Sequence, residues 1–68
     1  MFKDILKQLR IEKGLTQKEV AQHFGIAQSN YQQWESGKRS PSGETLEKLA
    51  DFFKVSTDFL LGRNPVER

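Results

Sequence analysis

The stretch Gln28-Ser29-Asn30-Tyr31-Gln32-Gln33-Trp34-Glu35-Ser36 gathers three glutamines, one asparagine and two serines into nine residues. On a helix, Ser29, Gln32, Gln33 and Ser36 fall on one side, with Gln28 and Asn30 at its margins. Tyr31, Trp34 and Glu35 lie within about 100° of one another on the other side. The outward face therefore carries amides and hydroxyls, with neither charge nor large apolar groups. Such a face donates and accepts hydrogen bonds together: Gln and Asn match the donor and acceptor of adenine in the major groove, and Ser adapts to several bases. Cations flank the stretch instead of standing on it, with Arg10 and Lys18 before it and Lys38 and Arg39 after it. Phosphates are held by cations and helix N-termini and bases by directional hydrogen bonds, so the charges and amides divide as a nucleic-acid surface requires. A solubilising surface helix would use the same residue types; the capped turn before it and the Lys-Arg pair after it separate the two readings.

Positioning such a face takes a helix held by others. Phe2, Ile5, Leu6 and Leu9 follow the spacing of one helix face, and Lys13-Gly14 gives a basic last turn and a stop. Thr16-Gln17-Lys18-Glu19 is a capping box that opens a second helix. Val20, Ala21 and Phe24 are its apolar side, and Gly25 ends it. A third helix starts near Ala27-Gln28 and stops at Gly37, so residues 16–37 make a helix-turn-helix. Ser42 and Gly43 open a fourth helix with Leu46, Leu49, Ala50 and Phe53 on one face. Val55-Ser56 caps a short fifth that ends at Leu61-Gly62, after which a tail, Arg63–Arg68, has little to pack and is expected to fray. Nothing alternates at period two over a strand's length. The expectation is an all-α, compact five-helix domain over residues 1–62 with a flexible tail over 63–68.

Composition narrows the chemistry further. The chain has 68 residues, 35% of them hydrophobic, and no cysteine. That excludes thiolate catalysis, disulfides and sulfur-ligated zinc, and a single histidine removes the other common metal and acid–base constellations. Asp51, Asp58, Glu44 and Glu47 could pair as general acid and base on paper, but a chain this short cannot wall a cleft around them. Glu44 and Asp58 read instead as first-turn charges, His23 as a surface imidazole, and Phe24, Phe53 and Phe59 as core. No catalysis, metal or cofactor is expected. No apolar run approaches a membrane span and the start lacks a signal peptide's apolar stretch, so a cytoplasmic protein is expected. Residues 1–39 carry seven Lys/Arg against four Asp/Glu and residues 40–68 four against five, which leans the first half toward a polyanion.

Taken in order, Leu6-x-x-Leu9-Arg10, Gly14-Leu-Thr-Gln-Lys-Glu-Val-Ala21, Trp34-Glu-Ser-Gly-Lys38, Thr45-Leu-Glu-Lys-Leu-Ala50 and Val55-Ser-Thr-Asp-Phe-Leu-Leu-Gly62 resemble the Cro/C1-type (XRE-type) helix-turn-helix regulators of phages and bacteria. The resemblance covers residues 2–62. It implies a lambda-repressor-like fold and a sequence-specific transcriptional regulator, most often a repressor, that reads operator DNA with the third helix as a symmetric dimer. It implies base contacts from Gln28, Ser29 and Gln33, with Gln32 a weaker candidate on the same face. Backbone contacts follow from Gln17, which also buttresses Gln28, and from Ser36 and Lys38; Lys18, Asn30, Arg10 and Arg39 join them by position. Arg10 and Glu35 match an ion pair that braces the first helix against the third.

Three positions depart from that pattern. Ala27 stands where a Ser or Thr usually caps the recognition helix, a loss of about 1 kcal/mol. Lys54 stands where Gly or Asn follows the fourth helix, so a left-handed lysine is expected. Phe52 replaces a small residue off the core face, either packing under the tail or contacting a partner. The alternative function is a protein-binding module, such as an antitoxin or an antagonist of another regulator, which an exposed apolar patch around Phe52 would favour. A homodimer on DNA, weak or absent when free, is expected, and no small-molecule ligand is evident.

Overall fold

The computed structural model describes residues 2–63, which form five helices and no strand: α1 (Phe2–Glu12), α2 (Gln17–Phe24), α3 (Gln28–Ser36), α4 (Gly43–Phe53) and α5 (Thr57–Leu60). Local chemistry sets most of the boundaries. Thr16 Oγ1 accepts the Glu19 N–H at 3.1 Å, and the Glu19 carboxylate accepts the Thr16 N–H at 2.8 Å, the reciprocal box expected for α2. Ser42 and Ser56 accept from the N–H groups of Thr45 and Phe59 to start α4 and α5. Gly25 ends α2 at φ 68°, where its N–H reaches the carbonyls of Ala21 and Gln22. Lys54 does the same for α4 at φ 58°, the one non-glycine residue with positive φ among those described.

Each helix sends a few side chains to one core: Leu6 and Leu9, Val20 and Ala21, Tyr31, Leu49 with Ala50 and Phe53, and Leu60. Helix α3 contributes only Tyr31, with Trp34 partly buried, because the rest of its surface is polar. It compensates by packing on both α1 and α2, while α5 packs on α4 and α1. Helix α1 is thus the common support of both halves.

Two sequence expectations change here. Phe52 packs against the end of α2: its ring lies 4.3 Å from that of His23 and 5.4 Å from that of Phe24, with the Lys13 ammonium 5.3 Å from its centroid. The C-terminal ends of α2 and α4 converge, so His23, exposed as expected, is a ring partner and not a lone imidazole. The patch that would have favoured a protein partner is therefore partly covered, and the large exposed hydrophobic among the described residues is Ile11. Arg63, assigned to the tail, donates its N–H to the Asp58 carbonyl at 2.8 Å; the rest of that tail lies outside the described residues.

Candidate nucleic-acid interface

The polar face of α3 is held from behind by a single carboxylate. Glu35 accepts from Arg10 Nε at 2.7 Å and Nη2 at 3.2 Å, from Gln17 Nε2 at 3.1 Å, and from Tyr31 Oη at 2.6 Å. Arg10 Nη1 donates to the Leu15 carbonyl at 2.7 Å, so the guanidinium also fixes the entry to α2. The Glu35 side chain is 3% exposed and that of Arg10 13%. Burial alone would raise the Glu35 carboxyl, but the hydrogen bonds from Arg10, Tyr31 and Gln17 outweigh it and hold the group below the usual carboxylate range. Burial and the bond to Glu35 push the Tyr31 phenol up, and the bond to Glu35 raises Arg10. No buried side-chain nitrogen or oxygen among the described residues lacks a partner. One charged group thus locks α1, α2 and α3 together.

On the outer side, Gln28, Ser29, Asn30 and Gln32 are exposed, as the helical spacing requires. Gln33 is half-buried, in a recess shared with Asn30, Trp34 and Arg39. Its main chain has a second task. The Gln33 carbonyl accepts the N–H groups of Gly37, Lys38 and Arg39, so the turn that carries the two cations is tied to the helix that carries the amides. Lys38 and Arg39 are exposed there, and Lys18 is exposed in the first turn of α2. Ala27 has N-cap geometry, φ −68° and ψ 144°, but gives no side-chain bond. The first N–H groups of α3 are left for solvent or a ligand.

Three of the expected contacts arrive with other engagements. Arg10 directs three of its N–H groups at protein acceptors, so its place is chiefly behind the face. Gln17 turns its amide N–H to Glu35, and no bond to Gln28 is formed. Ser36 donates its hydroxyl proton to the Gln33 carbonyl at 3.2 Å, which a phosphate would have to redirect. The sequence reading missed Tyr31 as a member of the brace, although its (i, i+4) spacing to Glu35 was available. It also missed Lys3, whose stem crosses Gly37 and for which no local signal exists. Among the described residues no three His, Cys, Asp or Glu side chains could hold a metal ion, and no helix is long and apolar enough to cross a membrane.

A family model described as helix-turn-helix matches residues 6–60. The chain is 41% identical over 63 residues to the HTH-type transcriptional regulator ImmR of Bacillus subtilis, covering 93% of this chain and 50% of the relative. It is 44% identical over 61 residues to the SPbeta prophage-derived regulator YonR of the same species, covering 90% and 56%. It is 44% identical over 55 residues to the cryptic phage CTXphi transcriptional repressor RstR of Vibrio cholerae, covering 81% and 50%. The chain spans about half the length of these curated relatives.

Proposed function

Since the chain belongs to the Cro/C1-type helix-turn-helix family and has its lambda-repressor-like all-α fold, we propose that it is a sequence-specific DNA-binding transcriptional regulator that acts as a repressor. The observation that carries this reading is the exposed, uncharged face of Gln28, Ser29 and Gln32, held rigidly by the Glu35 brace and flanked by Lys18, Lys38 and Arg39. Gln28, Ser29 and Gln33 read bases, with Gln32 beside them. Gln17, Lys18, Asn30, Ser36, Lys38 and Arg39 serve the backbone, and Arg10 supports them. Directional groups on a fixed helix supply discrimination, and cations beside it supply affinity. The action involves no catalytic step and takes place in the cytoplasm.

The same reading has two copies bind one operator, because one such module reads only a few base pairs. Recognition helices about 34 Å apart would meet the same side of the duplex. The contact surface is the loop from Arg39 to Gly43 with Ser56 and Thr57. A patch of this size should fall short of the roughly 1,000 Å² of a stable free dimer, so the duplex would supply much of the alignment.

Amide chemical-shift mapping during titration with duplex DNA tests the surface. Perturbations should concentrate at residues 17–18 and 28–39. Perturbations centred on His23 and Phe52, with none along α3, would contradict the proposal and point to the protein-binding alternative.

A further inference from the structure

Lys3 lies at the start of α1, far from the cationic turn in sequence, yet its aliphatic stem runs directly over Gly37. A Cβ placed on Gly37 would sit 2.9 Å from Lys3 Cδ and 3.6 Å from its Cε. Gly37 is also left-handed, at φ 84°. The missing side chain at this position therefore lets the helix end and lets Lys3 lie down against the turn. A shallow recess results, in which Lys3 of α1 meets Arg39 and Ser40 of the turn and Ser36 of α3, with the partly buried Phe2 and Trp34 beside them.

We propose that this recess seats one phosphate of the DNA backbone, held jointly by the Lys3 ammonium and the Arg39 guanidinium with the Ser40 hydroxyl. The inference rests on the DNA-binding reading above and adds α1 to the interface. Two cations and two hydroxyls line the recess and no carboxylate does. Glu35, close by in sequence, is engaged by Arg10, Gln17 and Tyr31. Phe2 and Lys3 begin α1, so the positive end of that helix adds to the same sign. Asp4 holds the Lys3 ammonium at 3.2 Å, but both side chains are well exposed, and an exposed pair of this kind is weak. A DNA phosphate displaces it. The same turn presents Lys38 next to Arg39, both exposed.

The test is binding of the full chain to a short mixed-sequence duplex, followed by fluorescence anisotropy over a range of salt concentrations. This probe reports phosphate contacts without requiring the operator. Lys3→Gln should weaken binding several-fold and lower the salt slope by up to about 0.9, one phosphate's worth. Lys3→Arg should restore both. Because both cations hold one phosphate, the loss should shrink in an Arg39→Gln background, and Asp4→Asn should tighten binding only while Lys3 is present. If Lys3→Gln kept the wild-type slope and affinity while Lys38→Gln lowered both, the seat would be refuted and the DNA-binding reading would stand. If the wild-type chain bound no duplex at any salt concentration, both would fall.

Discussion

Arg10 and Glu35 meet through two hydrogen bonds, at 2.7 and 3.2 Å, across twenty-five positions of sequence. The pair joins the C-terminal part of α1 to the last turn of α3, and the carboxylate's remaining bonds to Gln17 and Tyr31 bring in α2 and a second turn of α3. A helix whose outer face must stay polar has little apolar surface with which to anchor itself. Here the anchor is a nearly buried ion pair, whose bonds also fix direction. A wholly apolar contact would hold α3 in place but would orient its amides less sharply.

Breaking this pair from one side should therefore be expensive. Glu35→Gln leaves a partly buried guanidinium without its counter-charge, a loss toward the roughly 3–5 kcal/mol of a buried pair, against roughly 3–10 kcal/mol of total stability for a domain of this size. Thermal melts should fall by at least about 12 °C. Tyr31→Phe removes one bond to a charged group, about 1.5–3 kcal/mol, and should fall less. A Glu35→Gln melt superimposable on the wild type would remove the bracing role.

Acid should act through the same carboxylate. The Glu35 carboxyl is held below its ordinary value of 4.5 in the folded chain. Its contribution to stability is therefore fully present above that value and is lost as pH falls through the lower folded value. Urea unfolding between about pH 6 and pH 3 should show the wild type losing stability on the acid side, with a shallower loss in Glu35→Gln. Parallel curves for the two proteins would show that the carboxylate is not held in its charged form by the fold.

What the sequence made legible is what local chemistry decides. The Thr16–Glu19 box and the Gly25 stop depend on residues within a turn of one another, and each stands where the spacing put it; the uncapped Ala27 and the left-handed Lys54 came from departures from the family pattern. The helical period put Ser29, Gln32, Gln33 and Ser36 outward with Gln28 and Asn30 at the margins; all are exposed except Gln33, which is half-buried. Contacts between elements were less accessible. The Arg10–Glu35 pair came from the family resemblance, and no period in the chain announces that Gln17 turns to Glu35, that Phe52 lies on His23, or that Lys3 crosses Gly37. These depend on how helix ends converge, which is a property of packing.

Two local flaws invite repair. Ala27 already has the backbone of an N-cap, so Ala27→Ser should stabilise the domain by about 1 kcal/mol. Lys54→Gly relieves a left-handed lysine at φ 58° and should add a similar amount, about 1 kcal/mol. Because the sites belong to different helices, the double variant should show nearly the sum in thermal melts. A loss on Ala27→Ser would mean that the open helix start is itself packed or strained.

Association should depend on DNA. Sedimentation of the free chain should give a monomer at micromolar concentration, and addition of a palindromic duplex should give two chains per duplex. A tight free dimer broken by Phe52→Ala would place the interface at the α2–α4 ends instead of the loop from Arg39 to Gly43. Full-affinity binding of one chain to an isolated half-site would show that no dimer is needed.

Whether α3 reads base sequence is decided by selecting bound duplexes from a random library with the wild-type chain, Gln28→Ala and Lys38→Ala in parallel. The wild type should enrich one motif, made of two half-sites about one helical turn apart. Gln28→Ala should relax one position in each half-site, a change of about 1–3 kcal/mol, while Lys38→Ala leaves the motif intact and weakens all sites alike. An unenriched library, or a motif that Gln28→Ala leaves unaltered at every position, would contradict base reading by α3.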